Sequence, residues 1–288
     1  MSAVLIPSRR YSAADLAWWA PRERVDRAVG KSLRIARMED EAVACVLRFL
    51  DACERDADGL PRCHANLSCG KDSTVLMGVL RELQRRHGVT LPVIYVRVSP
   101  HENPDNALVL AALRESCADA LARLDVIDLA AERDPATGEW IGTGRLREGF
   151  DLAAKRYGAH RVTGIRADES NDRQRRDAIA RKWERLAGFK PDGTTTRYTC
   201  APLTSWTGQD VFAYLASREL PVHPTYACTF GGRLDRTRLR VATLGGWRGG
   251  TARYMHEQHY YADEMEALGY GRRGSMVAAE ANAKPVAK

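Results

Sequence analysis

No stretch of the 288-residue sequence strings together the roughly 18 apolar residues that a membrane-spanning helix needs, so none is predicted. The opening residues, MSAVLIPSRRY, lack a long apolar run, and no signal peptide is expected. No internal repeat is visible. Cys45, Cys53, Cys63, Cys69, Cys117, Cys200 and Cys228 include no Cys-x-x-Cys pair, and their number is odd. Reduced thiols in a cytoplasmic protein fit that pattern best. A zinc or iron–sulfur site would have to be assembled from scattered positions, and no iron–sulfur cluster is expected.

A hydrophobic content of 44% is enough for one sizeable core. The net charge is +7, and the excess is uneven. From Arg233 to Arg253 stand six arginines and one acid, Asp235, together with Trp247, and Tyr254 follows directly. A basic stripe with aromatics suits a polyanion, and Arg233, Arg236, Arg238, Arg240 and Arg248 are the candidate nucleic-acid surface. The competing reading is an ordinary solvated face.

Residues 39–55 place Ala42, Val46, Phe49, Leu50 and Cys53 at helical spacing. Residues 62–67 read as a strand, and 74–87 as a helix turning Val75, Leu76, Val79, Leu80 and Leu83 inward. Strands follow at 91–99, 122–129 and 160–166, with helices at 105–122, 145–157 and 172–187. This alternation predicts an α/β fold, a doubly wound and mostly parallel sheet covered on both faces. Ligands of such sheets sit beyond the carboxyl ends of the strands, at a switch point. The predicted organisation is an N-terminal helical segment (1–58), the α/β domain (59–230) and a basic C-terminal extension and tail (231–288).

Residues 66–80, NLSCGKDSTVLMGVL, put a small polar loop between a strand and a helix start. Free N–H groups and the positive helix end there make an anion site, to which Lys71 adds a charge. A Walker A loop fails twice: its first glycine position is Ala65, and Asp72 follows the lysine.

The hexapeptide Ser68-Cys69-Gly70-Lys71-Asp72-Ser73 resembles the PP-loop, usually Ser-Gly-Gly-Lys-Asp-Ser, of ATP pyrophosphatases in the adenine-nucleotide α-hydrolase superfamily. The resemblance implies that ATP is cleaved between its α- and β-phosphates. Ser68, Cys69, Gly70, Ser73 and Thr74 would grip the leaving pyrophosphate, with Lys71 and Asp72 catalytic. Asp72 beside phosphates calls for Mg²⁺ or, alternatively, caps its own helix. Cys69 departs from the usual glycine. It would be strained if the position needs positive φ, and it would be an activated thiol if the helix start and Lys71 lower its pKa. GIRADESNDR matches a second family segment through Gly164, Arg166, Glu169, Ser170 and Arg173. Arg166 and Arg173 would stabilise charge on the α-phosphate, unless they merely pair with nearby acids. Val98 and Ser99 are the expected adenine contacts.

Residues 201–227 resemble a segment of phosphoadenosine phosphosulfate reductases through Trp206, Asp210, Val211, Leu220, Pro221, His223, Pro224 and Tyr226. Thr207 and Asp210 also have capping-box spacing, and His223 reads as structural. The reductases' C-terminal catalytic cysteine motif has no counterpart after Cys228. The short chain looks more like DNA phosphorothioation proteins of the SspD kind than the longer, cysteine-clustered DndC kind. That resemblance implies DNA and a cysteine desulfurase as partners, with Cys69, Cys200 or Cys228 as sulfur carrier. A homo-oligomer is compatible with it. Sulfur assimilation of the reductase or sulfurylase type, RNA thiolation and a non-catalytic nucleotide-binding module are the alternatives.

Overall fold

The computed structural model describes residues 4–138, 140–141, 146–169, 199–241, 243–245 and 250–270. Two helices open the chain. In α1 (Ala13–Gly30), Ser12 and Asp15 form a reciprocal capping box; in α2 (Leu33–Ala52), the Ser32 hydroxyl accepts from the Ile35 N–H. Helix α2 starts before the predicted residue 39 because that cap lies upstream of the apolar stripe. It buries Ile35, Ala42, Val43, Val46, Phe49 and Leu50 along one face.

The central sheet comprises β1 (Cys63–Leu67), β2 (Val93–Ser99), β3 (Leu124–Ala130), β6 (His160–Val162) and β7 (Thr199–Cys200). Its order is β3-β2-β1-β6-β7, with every neighbouring pair parallel. A separate antiparallel pair joins β4 (Glu132–Arg133) to β5 (Trp140–Ile141). Parallel neighbours need crossovers, supplied here by α3 (Lys71–His87), α4 (Asp105–Ser116) and α5 (Leu146–Tyr157). The expected α/β doubly wound class is the observed one. From β1 the chain winds outward through β2 and β3, then returns to β6 on the other side of β1. The switch point therefore lies between β1 and β6.

The two faces of the sheet differ. Cys63, Ala65, Leu67, Val93 and Tyr95 face the larger core, shared with α2, α3 and α6 (Gly208–Ser217). Ile94, Val96 and Ile127 face Ala153 and Phe150 of α5. The N-terminal helical segment joins the larger core through Trp19, which packs edge-on against Phe212 of α6. The last described helices, α7 (Gly250–Tyr260) and α8 (Ala262–Ala267), fold back on the N-terminus. Arg10 ties them down with ion pairs to Asp105 (2.9 Å) and Glu264 (2.7 Å).

Candidate active site at the switch point

The loop after β1 leads straight into α3, whose first residue is Lys71. Its conformation is set from within: the Ser68 N–H donates to Ser73 Oγ (3.1 Å), and the Ser73 hydroxyl donates to the Gly70 carbonyl (2.9 Å). Cys69 sits in the left-handed region at φ 56, so the departure from glycine is a strained one. Gly70 has φ −78 and does not need glycine's freedom. Gly164 is required by a close approach instead. A Cβ there would lie 2.7 Å from the Asp72 carbonyl oxygen and 3.0 Å from the Ser73 nitrogen, so the segment that leaves β6 presses on the first turn of α3.

Lys71 is almost wholly buried, and its Nζ is 2.9 Å from Asp72 Oδ2. It also donates to the Leu239 carbonyl at 3.5 Å, and it lies over the Tyr226 ring. The Lys71 backbone N–H donates to Tyr226 Oη at 2.9 Å. Arg166 donates to the other oxygen of Asp72, to Asp168 (3.2 Å) and to the Trp206 carbonyl (3.1 Å). Asp168 in turn accepts from the Gly208 N–H at the start of α6. Asp72 thus holds two buried cations at the mouth of the switch point. It does not cap its helix, whose N-cap, Gly70, offers no side-chain bond.

A cavity of about 350 Å³ opens here. Asn66 to Ser68, Gly70 to Ser73, Thr163, Gly164 and Ile165 line it from the strand ends, Phe150 from α5, and Tyr226, Arg240 and Val241 from the C-terminal part. Arg161 completes the wall. Its side chain reaches the pocket because β6 pairs with β1 in the register that sets Arg161 beside His64. Among the predicted site residues, Ser68, Gly70, Lys71, Asp72, Ser73 and Gly164 therefore meet at one place, with Arg166 directly behind Asp72.

Other predicted residues lie elsewhere. Val98 is buried, Ser99 is exposed, and neither is among the residues lining the cavity; the Ser99 carbonyl accepts from the Ala131 N–H. Thr74 is buried behind the loop with its hydroxyl unpartnered. Glu169 ends a short 3-10 turn, Ala167–Glu169. Ser170, Arg173, Arg248 and the helix predicted at 172–187 lie outside the described residues. His223 is structural: its Nδ1 accepts from the Thr225 N–H, and burial pulls its pKa down to about 3.

The candidate sulfur carriers are all buried. Cys69 points away from the cavity, toward the Asn106 carbonyl (3.7 Å), and burial pushes its thiol up to about 12. The activated thiol anticipated from the helix start does not form, because the side chain is desolvated. Cys200 lies in the larger core, apart from the cluster that holds Cys228. Its sulfur lies 3.7 Å from Cys45, and that contact together with burial raises its pKa. Burial also raises Cys228, which packs in a separate cluster with Tyr260 and Tyr261.

The basic run divides. Arg233 and Arg238 are exposed, and Arg240 lines the cavity. Arg236 belongs to the interior, not to a nucleic-acid surface: it donates to Asp26 (2.8 Å) and stacks 4.2 Å over the Phe212 ring. Sequence reasoning missed Arg161, Asn66 and Thr163. A charged or amide residue inside a short strand that leads to a glycine-bearing loop was the available signal.

A loop that runs into a helix start at the switch point of a doubly wound parallel sheet gives this α/β protein the layout of an anion-binding site. The chain belongs to the phosphoadenosine phosphosulfate reductase domain family, whose model matches residues 62–248. No curated protein matches the sequence. Among solved structures, the U34-tRNA thiolase NcsA from Methanococcus maripaludis is similar at 14% identity, covering 87% of this chain and 86% of that one, with a TM-score of 0.43. The FMN adenylyltransferase of Candida glabrata, solved with FMN and an ATP analogue, is similar at 14% identity and a TM-score of 0.39. That match covers 70% of this chain and 66% of the other, just under two thirds of its length.

The thiolase is described with its [4Fe-4S] cluster, and the expectation that no iron–sulfur cluster takes part is withdrawn. That expectation rested on spacing along the sequence, whereas cluster ligation depends on thiols meeting in space. Cys45 and Cys200, 155 residues apart, show how far the two can differ.

Proposed function

We propose that the protein is an ATP pyrophosphatase that activates an acceptor phosphate for sulfur incorporation, with the DNA backbone as acceptor. The observation that carries this reading is the convergence of the loop, Lys71, Asp72, Arg161 and Arg240 on one cavity at the switch point. The α3 N-terminus and Lys71 would hold the β- and γ-phosphates. Arg161 and Arg240 would face charge that develops on the α-phosphate as the pyrophosphate leaves. Asp72 is the single carboxylate on the cavity wall among the described residues, and its two oxygens already meet cations. It is the residue that would hold Mg²⁺, together with oxygens of the nucleotide, and the ion would neutralise phosphate charge.

No cysteine lines the cavity among the described residues. The sulfur route that fits is therefore a direct one: the terminal sulfur of a cysteine desulfurase's persulfide attacks the adenylated acceptor, AMP leaves, and an external thiol reduces the resulting S–S bond to release the phosphorothioate. Product analysis tests the first step. ATP should yield AMP and pyrophosphate, and ADP with orthophosphate would refute the assignment. Lys71→Ala should reduce the rate by about 10²- to 10³-fold, the range for removing one charge-stabilising donor.

A further inference from the structure

Two buried polar atoms on the cavity wall have no hydrogen-bond partner: Asn66 Oδ1 and Thr163 Oγ1. They are neighbours by construction. Ala65 pairs with Val162, so the next residues of β1 and of the chain leaving β6 stand side by side on the face toward α5. Thr163 is only 5% exposed, and its backbone N–H is already used by the Cys200 carbonyl at 2.9 Å. An orphaned buried polar atom is costly, and native proteins leave few of them. Two orphans side by side on one cavity wall are explained if a ligand satisfies them.

The chemistry of the wall restricts that ligand. Asn66 Oδ1 can only accept, so the ligand must bring a donor. Arg161, Lys71 and Arg240 line the same cavity, so the ligand is also anionic. Phe150 contributes an apolar side. We infer that Asn66 and Thr163 form a subsite for the hydroxyl groups of a sugar phosphate, separate from the phosphate-binding loop. This inference rests on the nucleotide reading of the site. The sugar comes either from the bound ATP or from the acceptor; because a DNA backbone has no free sugar hydroxyl within the chain, the second source would make the acceptor RNA and not DNA.

Calorimetry on the full chain distinguishes the two sources, using wild type, Thr163→Val and Asn66→Leu. The first arm compares ATP with 2′-deoxy- and 3′-deoxy-ATP. The second compares the dinucleotide ApA with its deoxy form in the presence of saturating non-hydrolysable ATP analogue. In one arm, wild type should prefer the hydroxylated ligand by at least about tenfold, and both variants should lose that preference. Thr163→Val should at the same time melt at a higher temperature without ligand, because an orphan is removed; a merely structural hydroxyl would not couple the two changes. Preference absent from both arms, or retained in both variants, overturns the subsite. Failure of wild type to bind ATP at all overturns the nucleotide reading itself, and the subsite with it.

Discussion

Arg236 and Arg240 stand four residues apart in one basic run and do unrelated work. Arg236 is a buried anchor between Asp26, Trp19 and Phe212, whereas Arg240 lines the switch-point cavity. Between them, Arg238 is exposed and lies 3.8 Å from Asp235. The loop at 68–73 behaves in the opposite way: Ser68, Gly70, Lys71, Asp72 and Ser73 all face one cavity. A loop entering a helix fixes the direction of its groups through backbone geometry. A charge count on irregular, turn-rich backbone carries no period and so no direction.

The widest gap between the two arginines should appear on removing Arg236. Burial lowers its pKa and raises that of Asp26, so for both partners desolvation outweighs their attraction. Such a pair contributes little to stability when intact, yet losing one partner strands the other charge. Arg236→Ala should destabilise the fold by about 3–5 kcal/mol in urea unfolding, while Arg236→Met with Asp26→Leu should recover most of that loss. Destabilisation below about 1 kcal/mol for the single variant would return Arg236 to the surface class.

The next effect concerns the loop's rigidity. Gly164→Ala would place a methyl 2.7 Å from the Asp72 carbonyl, against backbone that cannot swing away. A cost of about 1–3 kcal/mol is expected, with a loss of ATP affinity because Asp72 and Ser73 shift together. Unchanged affinity by calorimetry would show that the loop tolerates displacement.

How much of this was legible follows the same division. Strands predicted at 62–67, 91–99 and 122–129 occur within about two residues as Cys63–Leu67, Val93–Ser99 and Leu124–Ala130; the second and third carry β-branched residues that favour a strand, and the first, CHANL, is marked by the polar loop that follows it. The strand predicted at 160–166 stops at Val162, where the chain leaves the sheet to press Gly164 against α3. Lys71, Asp72 and Arg166 were readable from local motifs. Asn66, Thr163 and Phe150 were not, since their proximity comes from β1–β6 pairing and from the packing of α5, both long-range. The same holds for Asp15, whose carboxylate accepts from the Thr229 and Gly231 N–H groups, 214 and 216 residues away.

Arg240 and Arg238 offer a finer contrast. Arg240→Ala should weaken ATP binding by about tenfold, the worth of one charge-assisted hydrogen bond, with little change in melting temperature. Arg238→Ala should leave ATP binding and stability within about 0.5 kcal/mol of wild type, as an exposed pair allows. If the exposed arginines face DNA, the salt slope of binding should fall by roughly 0.9 for each phosphate that is no longer neutralised. An unchanged slope for Arg233→Ala with Arg238→Ala would remove the run from the nucleic-acid surface altogether.

The smallest effect belongs to Cys69, and it separates backbone strain from sulfur chemistry. At φ 56, a residue with a Cβ carries about 1–2 kcal/mol of strain that glycine avoids. Cys69→Gly relieves this but loses a side chain that is fully buried, worth about 1 kcal/mol of apolar packing, and it adds unfolded-state entropy. These effects oppose, so Cys69→Gly should unfold within about 1 kcal/mol of wild type. Cys69→Val, β-branched in the same conformation, should be clearly less stable than either. Because the thiol faces Asn106 and away from the cavity, Cys69→Gly should also release pyrophosphate and support sulfur incorporation at wild-type rates. A variant that still releases pyrophosphate but no longer incorporates sulfur would identify Cys69 as the carrier, and would require the loop to turn its one buried thiol outward during the reaction.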